Sequence, residues 1–185
     1  MNQIRRLFTV CFVIATFLIG AVSCCTAQNT SAKVPGHYTY EHAFEYDLDG
    51  NHFDVHETGT MDFASDGSAL DSACQIYMAT MEDGYEVTFV FNYISPSRWR
   101  LGGEDFYFSG VKETFRMELM NTDIGKCDPV RAEKLAQEII KVISGSCDYE
   151  YKFHLDTLTD QKLQWSFTYR DGHSDTWEFY RDVLR

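Results

Sequence analysis

Four Asp-Gly pairs punctuate this chain, at Asp49-Gly50, Asp66-Gly67, Asp83-Gly84 and Asp171-Gly172. The first three stand 17 residues apart. Glycine takes the positive φ of a tight reversal at no steric cost, so each pair reads as a turn between two strands. The segments between them alternate. In Glu57–Gly67, Met61 and Phe63 point one way while Thr60 and Asp62 point the other. Period two is the mark of a half-buried antiparallel sheet, and the spacing describes a β-meander.

The alternation can be followed along most of the chain. A first strand, about 37–48, places Tyr38, Tyr40, His42, Phe44, Tyr46 and Leu48 on one face. A second, about 53–64, places Phe53, Val55, Glu57, Gly59, Met61 and Phe63 together. A third, about 69–81, is expected to turn Leu70, Cys74, Ile76 and Met78 inward. A fourth, 85–94, stacks Tyr85, Val87, Phe89, Phe91 and Tyr93. Ser95-Pro96-Ser97 reads as a break, followed by short strands at 98–101 and 105–109 and a longer one at 111–120 with Val111, Phe115, Met117 and Leu119 inward. One helix intrudes: Asp128 can cap it, Pro129 suits its first turn, and Gly145 can end it. Ala132, Leu135, Ala136, Ile139, Ile140 and Ile143 form its apolar stripe. Three alternating strands then close the chain. A sheet of eight to ten such strands leaves two open edges unless it curls shut. The expected fold is therefore all-β, an antiparallel up-and-down barrel with one helix inserted before the last three strands. A two-sheet sandwich is the alternative, but it needs longer crossovers than the chain offers.

The chain has 185 residues, the size of one domain, and 44% of them are hydrophobic, which is ample for a core. Its net charge of −12 disfavours contact with nucleic acid and with an anionic membrane surface. Arg5 and Arg6 precede a nearly unbroken apolar run from Leu7 to Ile19, too short to span a bilayer comfortably. Small residues then lead into Cys24. This segment resembles a bacterial lipobox, which implies lipidation of Cys24 and attachment to the membrane only through that anchor. Cleavage after Ala27, giving a soluble exported protein, is the other reading. Residues 1–23 thus read as a signal peptide, 24–35 as a flexible tether and 36–185 as the barrel domain.

Cysteine pairing stays open. A Cys127–Cys147 bridge would join the two ends of a helix roughly 22 Å long, whereas a disulfide holds its Cα atoms within about 7 Å. Cys74 is freer geometrically, and nothing in the sequence selects a partner for it.

Several segments together resemble the lipocalin-like (calycin-type) lipoproteins of gut-dwelling bacteria. They are Gly59-Thr-Met-Asp-Phe63 with Asp66-Gly67, Arg98-Trp-Arg-Leu101 with Gly102-Gly103, and the helix after Asp128-Pro129. Leu158-Thr-Asp-Gln-Lys-Leu163 and Thr176-Trp-Glu-Phe-Tyr-Arg181 complete the set. Gly36-His-Tyr38 stands where lipocalins proper carry Gly-x-Trp. The resemblance implies a small barrel with a ligand of unspecified kind.

Chemistry is harder to find. His42 and Glu57 sit on otherwise apolar faces, and a buried imidazole or carboxylate is costly without a partner. With Tyr38, Tyr40 and Trp99 they are the candidate contacts for a small apolar or amphipathic ligand. His52, Asp54 and His56 share a strand face, but same-face neighbours lie roughly 6.6 Å apart, wide for one ion, and no metal site is expected. Asp47–Asn51 reads as a hairpin turn. Glu104 and Asp105 lie beside a glycine turn and read as solvated. No nucleophile elbow, zinc-protease helix, phosphate loop or dinucleotide fingerprint is present, so no enzyme activity and no cofactor are expected. The expectation is an exported binding protein, anchored to the outer membrane and facing the periplasm because no acidic residues follow Cys24 closely. An envelope protein-interaction module with a side-chain-filled barrel is the alternative.

Overall fold

The computed structural model describes residues 32–182, apart from Asp49 and Asp171. Cys24, Cys25, the signal segment and most of the tether lie outside the described residues. Among the described residues nine strands and one helix follow in the order β1 (Gly36–Leu48), β2 (Asn51–Phe63), β3 (Ser68–Thr80), β4 (Glu86–Gly102), β5 (Asp105–Gly110), β6 (Arg116–Asp123), α1 (Pro129–Ser146), β7 (Glu150–Leu158), β8 (Lys162–Thr168) and β9 (Ser174–Arg181). Every pairing is antiparallel. Eight strands close a barrel in the order β1-β2-β3-β4-β5-β7-β8-β9, with β9 returning to β1. The fold is the expected antiparallel barrel with its helix before the last three strands. The glycines of all four Asp-Gly pairs have φ between 79° and 89°, as tight turns require.

The Ser95-Pro96-Ser97 segment does not break the chain. β4 runs straight through it, one edge on β3 throughout. Its other edge changes partner there, from β6, ending at Ile94, to β5, beginning at Ser97. Pro96 falls in the gap between the two partners, where its missing N–H removes nothing from the ladder. The strand expected at 111–120 accordingly begins later, at Arg116, and Leu119 on it is exposed.

β3 is turned over relative to the sequence reading. Leu70, Ile76 and Met78 are each about two-fifths exposed, whereas Ala69, Asp71, Ala73, Gln75, Tyr77 and Ala79 face inward. The neighbouring strands set this register. Phe63 stands opposite Ala69, Phe53 and Val87 opposite Ala79, and Tyr93 opposite Ala73. Between such large inward side chains only small residues fit, so the alanines go in and the bulkier aliphatics go out. Gly59 obeys the same constraint: a Cβ there would come within 2.7 Å of the Ala73 Cβ and 2.8 Å of the Tyr40 ring. Tyr85, expected inward, precedes β4 and is exposed.

Two apolar clusters fill the interior. One gathers Val34, Tyr38, Phe63, Trp99, Phe106, Leu163, Trp165 and Phe179 at one end of the barrel. Val34 is fully buried there, so the packed domain includes residues placed in the tether by sequence. The other joins Phe53, Val55, Tyr77, Phe89 and Phe91 to the face of α1 carrying Ala132, Leu135, Ala136 and Ile139. Asp128 caps α1 by accepting from the Val130 N–H at 3.0 Å. The helix runs through Gly145 and ends at Cys147. Cys74, Cys127 and Cys147 are all free thiols.

Candidate functional site

Within the barrel, and adjoining the first cluster to which Tyr40 and Tyr93 belong, the wall turns four polar side chains inward: Tyr40 from β1, Glu57 from β2, Asp71 from β3 and Tyr93 from β4. All four are buried. The Tyr40 hydroxyl lies 2.7 Å from Glu57 Oε1 and 2.8 Å from Asp71 Oδ1. The Tyr93 hydroxyl lies 2.5 Å from Glu57 Oε1 and 2.7 Å from Asp71 Oδ2. The two hydroxyls are themselves 3.1 Å apart.

Counting protons decides the chemistry of this cluster. Each phenol carries one proton to donate, and an ionised carboxylate carries none. Two protons cannot serve four tyrosine–carboxylate contacts. A neutral carboxyl supplies a third. Asp71 is suited to be that acid: burial first, then the charge of Glu57, push its pKa up to about 7, against the lowering pull of its bonds to Tyr93 and Tyr40. Burial and the two carboxylates hold both phenols well above their ordinary range, so both remain O–H donors. Tyr77 extends the cluster by donating to Gln75 Oε1 at 3.1 Å.

Asp71 and Tyr93 of the cluster form the floor of a cavity of about 170 Å³. Asp71, Gln75, Tyr93 and Ser95 are its polar side. Phe108, Phe115, Ile143 and Tyr151 are its apolar walls, with Ser146 and Cys147 at its rim. The chamber therefore lies between the wall formed by β3, β4, β5 and β7 and the last turn of α1, with Phe115 from just before β6. Outside it, an open groove of about 630 Å³ runs along Lys141, Val142, Gly145 and Tyr149, and it shares Ser146 and Tyr151 with the chamber.

The residues singled out by sequence fall into three places. Tyr40 and Glu57 lie directly behind the chamber floor. His42 is buried beside them, its ring 4.5 Å from that of Trp177. Its Nε2 has no hydrogen-bond partner among the described residues, and burial lowers its pKa against the pull of Glu57 and Asp175, so the ring is held neutral. Tyr38 and Trp99 belong instead to the aromatic end. Tyr38 donates to the Val34 carbonyl at 2.9 Å and accepts from Arg181 at 2.5 Å, with the guanidinium 5.0 Å over its ring. Trp99 Nε1 is shared between the Ala64 and Ser68 carbonyls at 3.1 and 3.0 Å. Asp71, Gln75 and Ser95 were missed by sequence. The signal was the alanine spacing of β3, which carries Asp71 and Gln75 inward with it.

Of the three residues sharing a face at 52, 54 and 56, only His52 and Asp54 come together, and they are joined by Glu45. Their ligand atoms lie within 4.8 Å of one another. His52 Nδ1 meets Asp47 at 2.9 Å, and that bond raises its pKa. All four side chains stand in or near solvent, where water can serve them. Asp105 pairs with Lys152 at 2.9 Å.

No protein-family model matches the chain, and no curated protein matches it in sequence.

Proposed function

We propose that this protein is an exported, lipid-anchored, lipocalin-like binding protein that takes a small amphipathic ligand into the chamber behind α1. The observation that carries the reading is the chamber itself: an apolar cleft whose floor is a donor-poor network of buried hydrogen-bonding groups. Ligand sites combine these two features, an apolar lining with a few fixed polar groups. Size limits the ligand. A cavity of ~150 Å³ holds a benzene-sized molecule, so about 170 Å³ suits one ring or a short chain. A longer tail can follow the outer groove past Ser146 and Tyr151. In this reading the polar contacts are Asp71 and Tyr93, braced from behind by Tyr40 and Glu57, with His42 further back. Tyr38 and Trp99 hold the barrel end together.

Native mass spectrometry of the full-length protein, before and after mild organic extraction, tests the reading. A small molecule removed by extraction is expected; an unchanged apoprotein mass from the native host would count against it. Export and anchoring have their own test. Cys24→Ser is expected to abolish incorporation of a labelled fatty acid, and retention of the label would place the anchor elsewhere.

One observation favours a second reading, an envelope interaction module. Leu70, Ile76 and Met78 on the outside of β3 and Ile94 on β4 are two-fifths to one-half exposed, side by side on the outer wall. Crosslinking in cells from a photoreactive residue at Met78 would capture a protein neighbour in that case and none in the first.

A further inference from the structure

We infer that the chamber is built for an organic cation, a molecule with an ammonium head and a ring-sized apolar body. This rests on the reading that the chamber is a ligand site.

The buried acids come without a base. Among the described residues no lysine or arginine pairs with Glu57 or Asp71; the lysine and arginine ion pairs are all made by other acids. His42, the nearest imidazole to Glu57, is held neutral by its burial. No residue lining the chamber is basic. An anion entering would meet Asp71 with no countercharge, in a setting where a like pair is costly. A cation would meet the one charge the cluster lacks, and Asp71, with its pKa at about 7, would give up its proton to solvent and pair with it as the carboxylate.

The cluster also lacks donors, and it has acceptors to spare. Glu57 Oε1, both oxygens of Asp71 and the two hydroxyls make five close contacts, and even with a proton on Asp71 only three protons serve them. An ammonium brings up to three N–H donors and no acceptor, the complement of that deficit. A hydroxyl brings one donor, and a carboxylate none.

The walls fit the same head group. Tyr93, Phe108, Phe115 and Tyr151 surround the space above Asp71, and the rings of Tyr93 and Phe115 stack 6.1 Å apart. Ring faces carry negative charge density and attract ammonium groups, which is how aromatic cages recognise them. At longer range, the net charge of −12 draws cations toward the protein and repels anions.

Three probes of one shape separate the possibilities: benzylammonium, benzyl alcohol and benzoate, titrated calorimetrically into the full-length protein in neutral detergent. Benzylammonium is expected to bind at least about tenfold more tightly than benzyl alcohol, with benzoate weakest. Asp71→Asn is expected to bring benzylammonium down to the level of benzyl alcohol, and Phe115→Leu to narrow the preference several-fold. The wild-type series decides alone if a variant does not fold. Equal affinities, or benzoate as the tightest, would overturn the cation inference and leave the ligand reading standing. No binding by any of the three would overturn both.

Discussion

Two regions of the same interior solve the problem of burying polar atoms differently. At the aromatic end, Trp99, Phe106, Trp165 and Phe179 pack ring on ring with centroids 4.4–5.9 Å apart. The polar atoms of Tyr38 and Trp99 each have backbone carbonyls to bond. In the polar belt, four side chains compete for too few protons beside a cavity. Close packing and complete pairing give stability, while incomplete pairing next to a void gives a place where a ligand can contribute. The difference teaches where to look for function in a barrel with no catalytic signature.

The comparison is broken most severely at its well-packed side. Phe106 is fully buried among Phe63, Trp99 and Trp165. Phe106→Ala is expected to lower unfolding free energy by about 3–5 kcal/mol, read by urea denaturation. A loss below 1 kcal/mol would mean this end is loosely packed.

The polar belt should respond with the opposite sign at neutral pH. In the folded state Asp71 keeps its proton up to about neutral pH, its pKa raised from 3.8 to about 7. The folded state therefore holds a proton that the unfolded state releases between those values. Its contribution is complete below about pH 4 and is lost as pH rises through 7. At 1.36 kcal/mol per pKa unit, the loss is on the order of 4 kcal/mol at most. His42 works in reverse, its lowered pKa favouring folding above about pH 6.5 and less as pH falls through that value. Subtracting the Asp71→Asn profile from the wild-type profile isolates Asp71. The asparagine variant should gain on the wild type from pH 4 to 7 and hold its gain above that. A flat difference would show that Asp71 is not the group that carries the proton.

Tyr93→Phe removes one of the two hydroxyls that reach both carboxylates, and about 1–3 kcal/mol should be lost at pH 7. An unchanged midpoint would mean that neither acid depends on that hydroxyl. The smallest effect belongs outside the barrel. Ile76→Thr should change stability by no more than about 0.5 kcal/mol, as for most surface sites; a loss above 2 kcal/mol would put Ile76 back in the core.

That last contrast shows what could be read from residues alone. β1, β2 and the first half of β4 were legible because their large aromatics fall on one phase, and α1 because Asp128-Pro129 precedes a clean apolar stripe; the rest of β4 was not, because Pro96 looks like a break until its place between two partner strands is known. β3 was not, because Leu70, Ile76 and Met78 outweigh Ala69, Ala73 and Ala79 by hydrophobicity alone. What seats the alanines inside is the bulk of Phe53, Phe63, Val87 and Tyr93 on the neighbouring strands, a fact of register. Asp71 and Gln75 went unrecognised with it. His42 and Glu57 stand out in the sequence because an imidazole and a carboxylate on strong apolar faces ask for partners, and the structure gives one to Glu57 in Tyr40. The chamber is spread over β3, β4, β5, α1 and β7, and no local pattern could announce a space between them.

The central claim is that the interior is filled around Trp99, Phe106 and Trp165 and receptive beside the polar belt. A high-resolution crystal structure after soaking with a set of small amphipathic molecules tests it most directly. The account predicts ordered probe density in the chamber, with a polar group within hydrogen-bond distance of Asp71 or Tyr93, and none among Trp99, Phe106 and Trp165. Phe115 and Tyr151 packed down onto Tyr93, with no probe between them, would contradict it.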